Sequence, residues 1–183
     1  MEKKYDEQTI RQMLSDTKTQ RKAFEIVVRQ YSEQLYWQVR RIVLTHEDAN
    51  DVLQNTFLKA WNGLDSFHGE SKVSTWLSRI AINESVDSLR RQKTRAALSA
   101  DEEPALANIL LADNYFDGDE TQALLQQAIA SLPGVQRTVF ELRYFEDMKY
   151  SEMSQLLNTT EGSLKASYHI AVKKITDFFK ARD

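Results

Sequence analysis

Apolar residues recur every three to four positions in seven stretches of this 183-residue chain. That spacing is typical of amphipathic α-helices, and no stretch shows the alternation of a half-buried strand. We therefore predict an all-α protein whose helices cover about residues 19–44, 48–64, 74–91, 122–131, 134–145, 150–158 and 161–181. With only 5 Gly and 2 Pro, the chain has little material for β-turns, which favours the same fold class.

Polar segments divide these helices into two groups. We expect residues 1–17 to be a polar N-terminal tail that is frayed or loosely helical. We expect residues 95–121 to be a linker between two small helical domains, 18–94 and 122–183. The net charge of −3 comes from the linker, which has 1 basic and 7 acidic residues. The domains carry small positive excesses: 15 basic against 13 acidic residues over 1–94, and 8 against 7 over 122–183. Two weakly basic bodies joined by an acidic linker leave nucleic-acid binding open.

Composition excludes several other classes of protein. Cysteine is absent, so disulfides and thiolate metal sites are excluded. No apolar run approaches the roughly 20 residues of a membrane span, and the N-terminus lacks the apolar core of a signal peptide. We expect a cytoplasmic protein that does not insert into membranes.

The last two predicted helices have the outline of a helix-turn-helix. On the second of them Leu164, Ala171 and Ile175 share an apolar arc, whereas Lys165, His169 and Lys173 lie on another that could face DNA. Thr160 is placed to cap this helix and leave its first N–H groups available to phosphate. An amphipathic C-terminal helix with a solvated lysine face explains the same pattern equally well.

A second polar stripe lies on the helix predicted over 74–91. Trp76, Arg79, Asn83 and Arg90 project to one narrow arc, opposite Leu77, Ala81, Ile82 and Leu89. An aromatic ring, guanidinium groups and an amide together can stack on an unpaired base and hold phosphate, and Phe67 and Lys72 in the preceding loop could add a wall. The alternative is that Trp76 is an ordinary core residue and Asn83 a solvated amide.

The helix predicted over 48–64 has a third face of interest. Its apolar arc is Ala49, Val52, Leu53, Phe57, Ala60, Trp61 and Leu64. The side away from this arc carries Leu58 among the polar side chains of Asp51, Gln54 and Asn55. An apolar side chain surrounded by amides and a carboxylate suits a protein-binding face, although one exposed leucine is common on any surface.

Taken together, these motifs resemble a known family. The run Asp48-Ala49-Asn50-Asp51-Val52-Leu53-Gln54-Asn55-Thr56-Phe57-Leu58-Lys59-Ala60-Trp61, then Phe67, Ser74-Thr75-Trp76-Leu77 and Arg79-Ile80-Ala81-Ile82-Asn83, is similar to region 2 of bacterial sigma factors. Leu132-Pro133 with Arg137, Phe140 and Arg143, and the residues from Tyr150 to Ser167, resemble region 4. The short length and the spacing resemble the extracytoplasmic-function (ECF) subfamily of the sigma-70 class, over about residues 18–181.

The resemblance implies a promoter-specificity subunit of RNA polymerase. In this family the first domain binds core polymerase, with a helix docked on the β′ subunit, and that role would fall to Asp48, Asp51, Gln54, Asn55 and Leu58. The same domain would melt and read the −10 element through Phe67, Lys72, Ser74, Thr75, Trp76, Arg79, Asn83, Arg90 and Arg91. The second would read the −35 element through Thr160, Gly162, Ser163, Lys165, Ala166, His169 and Lys173.

The implied partners are the β and β′ subunits of core RNA polymerase, promoter DNA and, for many members, an anti-sigma factor. No cofactor or metal is implied. The acidic linker would thread through basic channels of the polymerase that otherwise hold nucleic acid. Two departures weaken specific contacts: Asn55 stands where the family usually has Glu, and no Arg follows the run Lys165-Ala166-Ser167.

Three other interpretations are open. A stand-alone helix-turn-helix regulator would use the C-terminal motif, but it leaves the run from Asp48 to Asn83 and the acidic linker unexplained. A helical enzyme has little support, because His46, His68 and His169 are scattered and no nucleophile or phosphate-loop motif is present. A pure protein-interaction module would use both exposed faces for helical partners, and this does not conflict with a sigma factor.

Overall fold

Helices make up all the regular secondary structure of the described residues. A computed structural model of the chain describes residues 4–43, 45–67, 69, 71–98 and 120–182, and for 95–98 and 120–121 it describes the backbone alone. These ranges contain eight α-helices, one short 3₁₀-helix and no strand, so the predicted all-α fold is confirmed. The chain divides into two compact units, Met1–Thr94 and Arg95–Asp183.

The first unit is a bundle of four helices around one apolar core. Helix α2 packs against both α1 and α3, and a 3₁₀-helix at Leu64–Ser66 follows α3. The fully buried core side chains come from all four α-helices and include Ile10, Val27, Val39, Val52, Leu77 and Ala81. The α-helices are α1 at Glu7–Ser15, α2 at Gln20–Val43, α3 at His46–Asn62 and α4 at Val73–Leu98.

Polar contacts also join α4 to the rest of the first unit. The Gln38 amide of α2 donates a hydrogen bond to the Ser78 hydroxyl, and the Lys59 ammonium of α3 pairs with the Glu84 carboxylate. Glu84 is 5% exposed, and a buried carboxylate needs such a partner because its desolvation is costly. These contacts fix which side of α4 faces the bundle.

The N-terminal segment differs from the prediction. Residues 1–17 were expected to form a polar tail, but α1 packs on α2 with Ile10 and Leu14 buried. Asp6 caps this helix by accepting a hydrogen bond from the Thr9 N–H at 2.9 Å. Three apolar residues, Ile10, Met13 and Leu14, recur in this nine-residue helix. So short a helix is not stable by itself, and the burial of Ile10 and Leu14 depends on a partner surface that the segment does not contain.

The boundaries of the expected linker also differ. Helix α4 continues to Leu98, past the predicted end at Arg91, because the added residues include no Gly or Pro to stop it. At the other end, the next helix begins at Glu120 instead of Gln122. Residues 99–119, which make up most of the expected linker, lie outside the described residues.

The second unit contains α5 at Glu120–Ala130, α6 at Gly134–Tyr144, α7 at Tyr150–Leu157 and α8 at Glu161–Lys180. Helix α8 packs against each of the other three. Their shared core contains Ile129, Leu132, Phe140, Ala171 and Ile175. The Phe140 ring stacks on Tyr168 of α8, with centroids 5.8 Å apart. Because one face of α8 fills the core, its other face stays free for another role.

Candidate polymerase and nucleic-acid interfaces

Helix α3 exposes most of the residues predicted to bind polymerase. Its buried side comprises Ala49, Val52, Thr56 and Ala60. On the outer side Leu58 is 54% exposed, and the polar side chains around it are exposed as well. We call this set the α3 face: Asp51, Gln54, Asn55 and Leu58.

Asp48 differs from the other predicted polymerase contacts. The Thr45 hydroxyl caps α3 by accepting a hydrogen bond from the Asp48 N–H at 3.1 Å, and it donates one to the Asp48 carboxylate. The Asp48 side chain is half-buried by this arrangement. Thr45 therefore caps α3, and Asp48 stabilises the start of the helix.

The apolar arc predicted for α3 is wrong at one residue. Trp61 was expected in the core but is 41% exposed, lying at the margin of the bundle with its ring 5.1 Å from that of Phe24. Thr56, which the predicted arc did not include, is buried on the inner side of α3. Its hydroxyl donates a hydrogen bond to the Val52 carbonyl at 2.7 Å. A threonine can satisfy its polar group within the helix, so periodicity of apolar residues alone could not place it inside.

Helix α4 carries the residues predicted to contact the −10 element. Leu77, Ala81 and Ile82 are buried, which leaves the opposite side to solvent. Thr75, Arg79, Asn83, Arg90 and Arg91 are exposed on α4, whereas Ser74 and Trp76 are half-buried at its start. We call the set the α4 surface, with the loop residues included: Phe67, Lys72, Ser74, Thr75, Trp76, Arg79, Asn83, Arg90 and Arg91.

The loop before α4 folds back onto the helix. The Phe67 and Trp76 rings stack with centroids 4.6 Å apart and an angle of 27° between their planes. Lys72 is exposed beside them, and its carbonyl accepts a hydrogen bond from the Trp76 N–H at 3.0 Å. Trp76 is therefore half-buried: its ring packs on another aromatic ring at the surface of the bundle.

Asn83 lies further along the same helix. It follows Trp76 by seven residues, which is about 10 Å along the helix axis at 1.5 Å per residue. Arg90 lies another two turns away and forms an ion pair with Asp87 at 3.0 Å. The α4 surface is therefore a long strip that begins at the aromatic stack and ends in arginines.

Helices α7 and α8 form the predicted helix-turn-helix. The turn contains Asn158 in the left-handed region with φ of +49°, which asparagine tolerates better than most residues. Met153 of α7 and Leu164 of α8 are buried where the two helices pack. Thr160 then caps α8 by accepting a hydrogen bond from the Ser163 N–H at 3.3 Å, so the predicted cap is confirmed.

The outer side of α8 is exposed at every residue predicted to contact the −35 element. We call this set the α8 surface: Thr160, Gly162, Ser163, Lys165, Ala166, His169 and Lys173. Lys165 is partly engaged, with its ammonium 3.7 Å from the Glu161 carboxylate and 5.5 Å from the Tyr150 ring centre. The Ser163 hydroxyl accepts a hydrogen bond from the Thr160 hydroxyl at 3.0 Å, which adds to the cap at the start of α8. A Cβ built on Gly162 would meet no atom within 4 Å other than its chain neighbours and the backbone of its own helix.

The sequence analysis missed two residues that contact the region around the α4 surface. Glu7 and Arg11 of α1 reach the start of α4 and the preceding loop, through hydrogen bonds to the Val73 N–H and the Gly69 carbonyl. Their i,i+4 spacing is a usable helix signal, but nothing in it indicates contacts so distant in sequence.

Two other features, a metal site and a membrane span, have no candidate in the described ranges. In that part of the chain no group of three or more His, Asp or Glu side chains is arranged to hold a metal ion. The same residues include no helix of the length and apolar character needed to cross a membrane.

Comparison with known proteins decides the family. Sigma-70 region 2 matches residues 27–95, and sigma-70 region 4 matches residues 122–175. The ECF RNA polymerase sigma factor SigW of Bacillus subtilis is 31% identical, covering 80% of this chain and 83% of the relative. The ECF RNA polymerase sigma-E factor of Escherichia coli is 30% identical, covering 81% and 82%.

The chain belongs to the ECF sigma factors.

Solved structures share the fold of this chain. The sigma factor RpoE of Bartonella quintana, solved with the anti-sigma factor NepR, has a TM-score of 0.59 at 21% identity and covers 87% of this chain and 98% of its own. CnrH, solved with the cytosolic domain of CnrY, gives 0.56 at 21% identity, with 97% and 99% covered. The present sigma factor thus acts in transcription initiation. Its α3 face and α4 surface fall within the region 2 match, and its α8 surface within the region 4 match.

Proposed function

We propose that this sigma factor contacts core RNA polymerase through the α3 face, the −10 element through the α4 surface and the −35 element through the α8 surface. In this proposal residues 18–94 bind polymerase and open the promoter, residues 122–183 read the −35 element, and residues 95–121 link them. The observation that carries the proposal is the Phe67–Trp76 stack at one end of a cationic strip. Such a strip suits unpaired bases, which a stand-alone duplex-binding regulator does not meet.

The α4 surface is long enough to contact more than one nucleotide. The separation of about 10 Å between Trp76 and Asn83 exceeds the rise of about 3.4 Å per nucleotide in a stacked strand, so the two side chains would contact different nucleotides. A base could stack on the aromatic pair, while Asn83 could hydrogen-bond the edge of another base and exposed arginines could contact phosphates. Opening the duplex costs a few kcal/mol for each unstacked step, which these contacts would offset.

The α8 surface suits the major groove. It is a regular, capped helix whose outer side chains include Lys165, His169 and Lys173, all of them exposed. Recognition helices insert with their N-terminal part against base edges, where Gly162 would let the backbone approach closely. The free N–H groups near Thr160 would favour a phosphate.

The α3 face supplies a protein contact. Asp51 offers charge, and Leu58 offers an apolar side chain already exposed to solvent. Asp48, engaged in the helix cap, would contribute through the shape of the helix start instead of a direct contact. The polymerase would perform all bond-making chemistry, and the sigma factor would act beside it in the bacterial cytoplasm without a cofactor. An anti-sigma partner stays a prediction of the family resemblance.

Run-off transcription tests the proposal. The sigma factor is added to bacterial core RNA polymerase over a library of promoter fragments, and the starts are mapped with and without it. Discrete starts that share two spaced upstream elements are expected. If the protein neither binds core polymerase nor initiates transcription, the polymerase assignment is contradicted and the stand-alone regulator is favoured.

Asp51→Arg tests the α3 face. We expect affinity for core polymerase to fall about tenfold, because the substitution reverses a charge at the centre of the face. The helical circular dichroism should not change, since Asp51 is exposed. Glu33→Arg, at an exposed glutamate of α2, is the charge-matched control. Equal affinity in the two variants would remove Asp51 from the interface.

Asn83→Ala tests the α4 surface. Promoter opening, followed by permanganate reactivity of unpaired thymines, should fall about tenfold while affinity for core stays within twofold. One lost hydrogen-bonding edge accounts for that size of effect. Gln34→Ala removes an exposed amide from α2 and is the control. A parallel loss of opening and polymerase binding would contradict the role given to Asn83.

A further inference from the structure

Helix α1 supplies the cap of another helix. One oxygen of the Glu7 carboxylate accepts a hydrogen bond from the Val73 N–H, at the first residue of α4. The first N–H groups of a helix have no partner within that helix, and a carboxylate near them also opposes the positive end of the helix dipole. The other Glu7 oxygen accepts a hydrogen bond from the Tyr31 hydroxyl of α2 at 2.8 Å. Glu7 thus joins the start of α4 to the bundle.

Arg11 contacts the loop that precedes α4. Its guanidinium donates a hydrogen bond to the Gly69 carbonyl. Gly69 has a φ of +73°, in the left-handed region, and a Cβ built on it would lie 2.6 Å from the Arg11 guanidinium. A side chain at this position would therefore strain the backbone and displace Arg11. The loop conformation and the position of Arg11 depend on each other.

Helix α1 is itself firmly attached. The Tyr5 N–H donates to the Gln30 side chain, and the Gln30 amide donates back to the Tyr5 carbonyl, both at 3.0 Å. Ile10 and Leu14 are buried against α2. Because α1 is held by both apolar and polar contacts, a side chain on it can transmit that rigidity to the loop.

We propose that Glu7 and Arg11 are positioning residues for recognition of the −10 element. Glu7 fixes the start of α4 and Arg11 fixes the loop, so the Phe67–Trp76 stack and Lys72 present a preformed surface to unpaired DNA. A site that is already ordered binds more tightly, since less conformational entropy is lost on binding. The inference rests on the proposed function of the α4 surface and extends it to α1, which lies before the region 2 match at 27–95.

The test compares Glu7→Ala and Arg11→Ala holoenzymes with the unaltered one. The probe is a fluorescein-labelled single-stranded oligonucleotide that carries the −10 element of the strongest promoter from the run-off experiment. We expect its affinity to fall about tenfold in each variant, while affinity for core polymerase stays within twofold. Discrimination against single-base substitutions in the oligonucleotide should fall at least threefold, an effect that a general loss of stability would not produce.

Conservative variants separate positioning from folding. Glu7→Gln retains an oxygen for the Val73 N–H, and Arg11→Lys retains a cationic donor for the Gly69 carbonyl, so both should bind the oligonucleotide within threefold of the unaltered protein. Arg11→Met keeps the aliphatic stem of an exposed side chain; it should fold and still show the tenfold loss. The matched control is Arg21→Ala with Glu25→Ala, an exposed i,i+4 pair of α2 with 89% and 65% of the side chains exposed.

Three results would overturn the inference. One is unchanged oligonucleotide affinity and base discrimination in both alanine variants. Another is an equal loss of polymerase binding, and the third is a failure of Arg11→Met to differ from the α2 control. If the unaltered protein gives no initiation with core polymerase, the proposed function itself fails, and that outcome is visible before any variant is made.

Discussion

The α4 and α8 surfaces carry similar chemistry but are built differently. Every residue of the α8 surface comes from one capped helix and its preceding residue, and its side chains are all exposed. The α4 surface is assembled from a loop, a helix and the contacts of a third segment, α1. A regular rod is enough to enter a preformed major groove, whereas unpaired bases need walls on several sides. The difference matches the two DNA forms that the proposal assigns to them.

The largest expected effect is at the aromatic stack. Trp76→Ala should weaken binding of the −10 oligonucleotide by about 10- to 100-fold, because base–aromatic stacking is worth about 1–3 kcal/mol per base. Trp76→Phe keeps a ring opposite Phe67 and should lose only a few-fold. Fluorescence anisotropy of the labelled oligonucleotide measures both. Similar losses of oligonucleotide affinity in the two variants would show that the Trp76 ring stabilises the fold and does not stack on bases.

A smaller effect is expected on α8. Lys165→Ala combined with His169→Ala should reduce initiation at promoters that depend on their −35 element about tenfold and flatten the salt dependence of duplex binding. The free energy of unfolding should change by less than about 0.5 kcal/mol, since both side chains are exposed. Lys174→Ala removes the same charge from another exposed position. If it acts equally, recognition lies elsewhere on the helix.

The smallest effect is expected on the stability of the first unit, through the contact between Glu7 of α1 and Tyr31 of α2. Burial, and then the hydrogen bond and charge of Glu7, raise the pKa of Tyr31 from 10.0 to about 12. Because the folded protein favours the neutral phenol, this stabilisation is complete below pH 10 and is lost as the pH rises towards 12. The urea midpoint of the first unit should therefore fall between pH 10 and pH 12, and less so in Tyr31→Phe.

Tryptophan fluorescence isolates that signal. Trp37, Trp61 and Trp76 all lie in the first unit, so the emission does not report on α5–α8. Tyr168 of the second unit has a pKa raised by burial as well, but its ionisation does not affect this readout directly. The same pH dependence in Tyr31→Phe and the unaltered protein would contradict the role given to the Tyr31–Glu7 contact.

Helical periodicity in the sequence was enough to predict which side chains of α4 and α8 are buried and which are exposed. The buried residues Leu164, Ala171 and Ile175 and the exposed ones on α8 follow from residue spacing, as do Leu77, Ala81 and Ile82 opposite Arg79 and Asn83 on α4. The helix cap at Thr160 follows from residue type and position. All of these are local, because a helix places residues three or four apart on one face whatever surrounds it.

The contacts that complete the α4 surface depend on the tertiary structure. Glu7 meets Val73 across 66 residues of sequence, and Arg11 meets Gly69 across 58. The exposure of Trp61 and the burial of α1 likewise depend on which surfaces face each other. Residue spacing carries no information about such pairs, because the closing of a long loop is stabilised by the packing of the whole bundle and not by any signal near either residue.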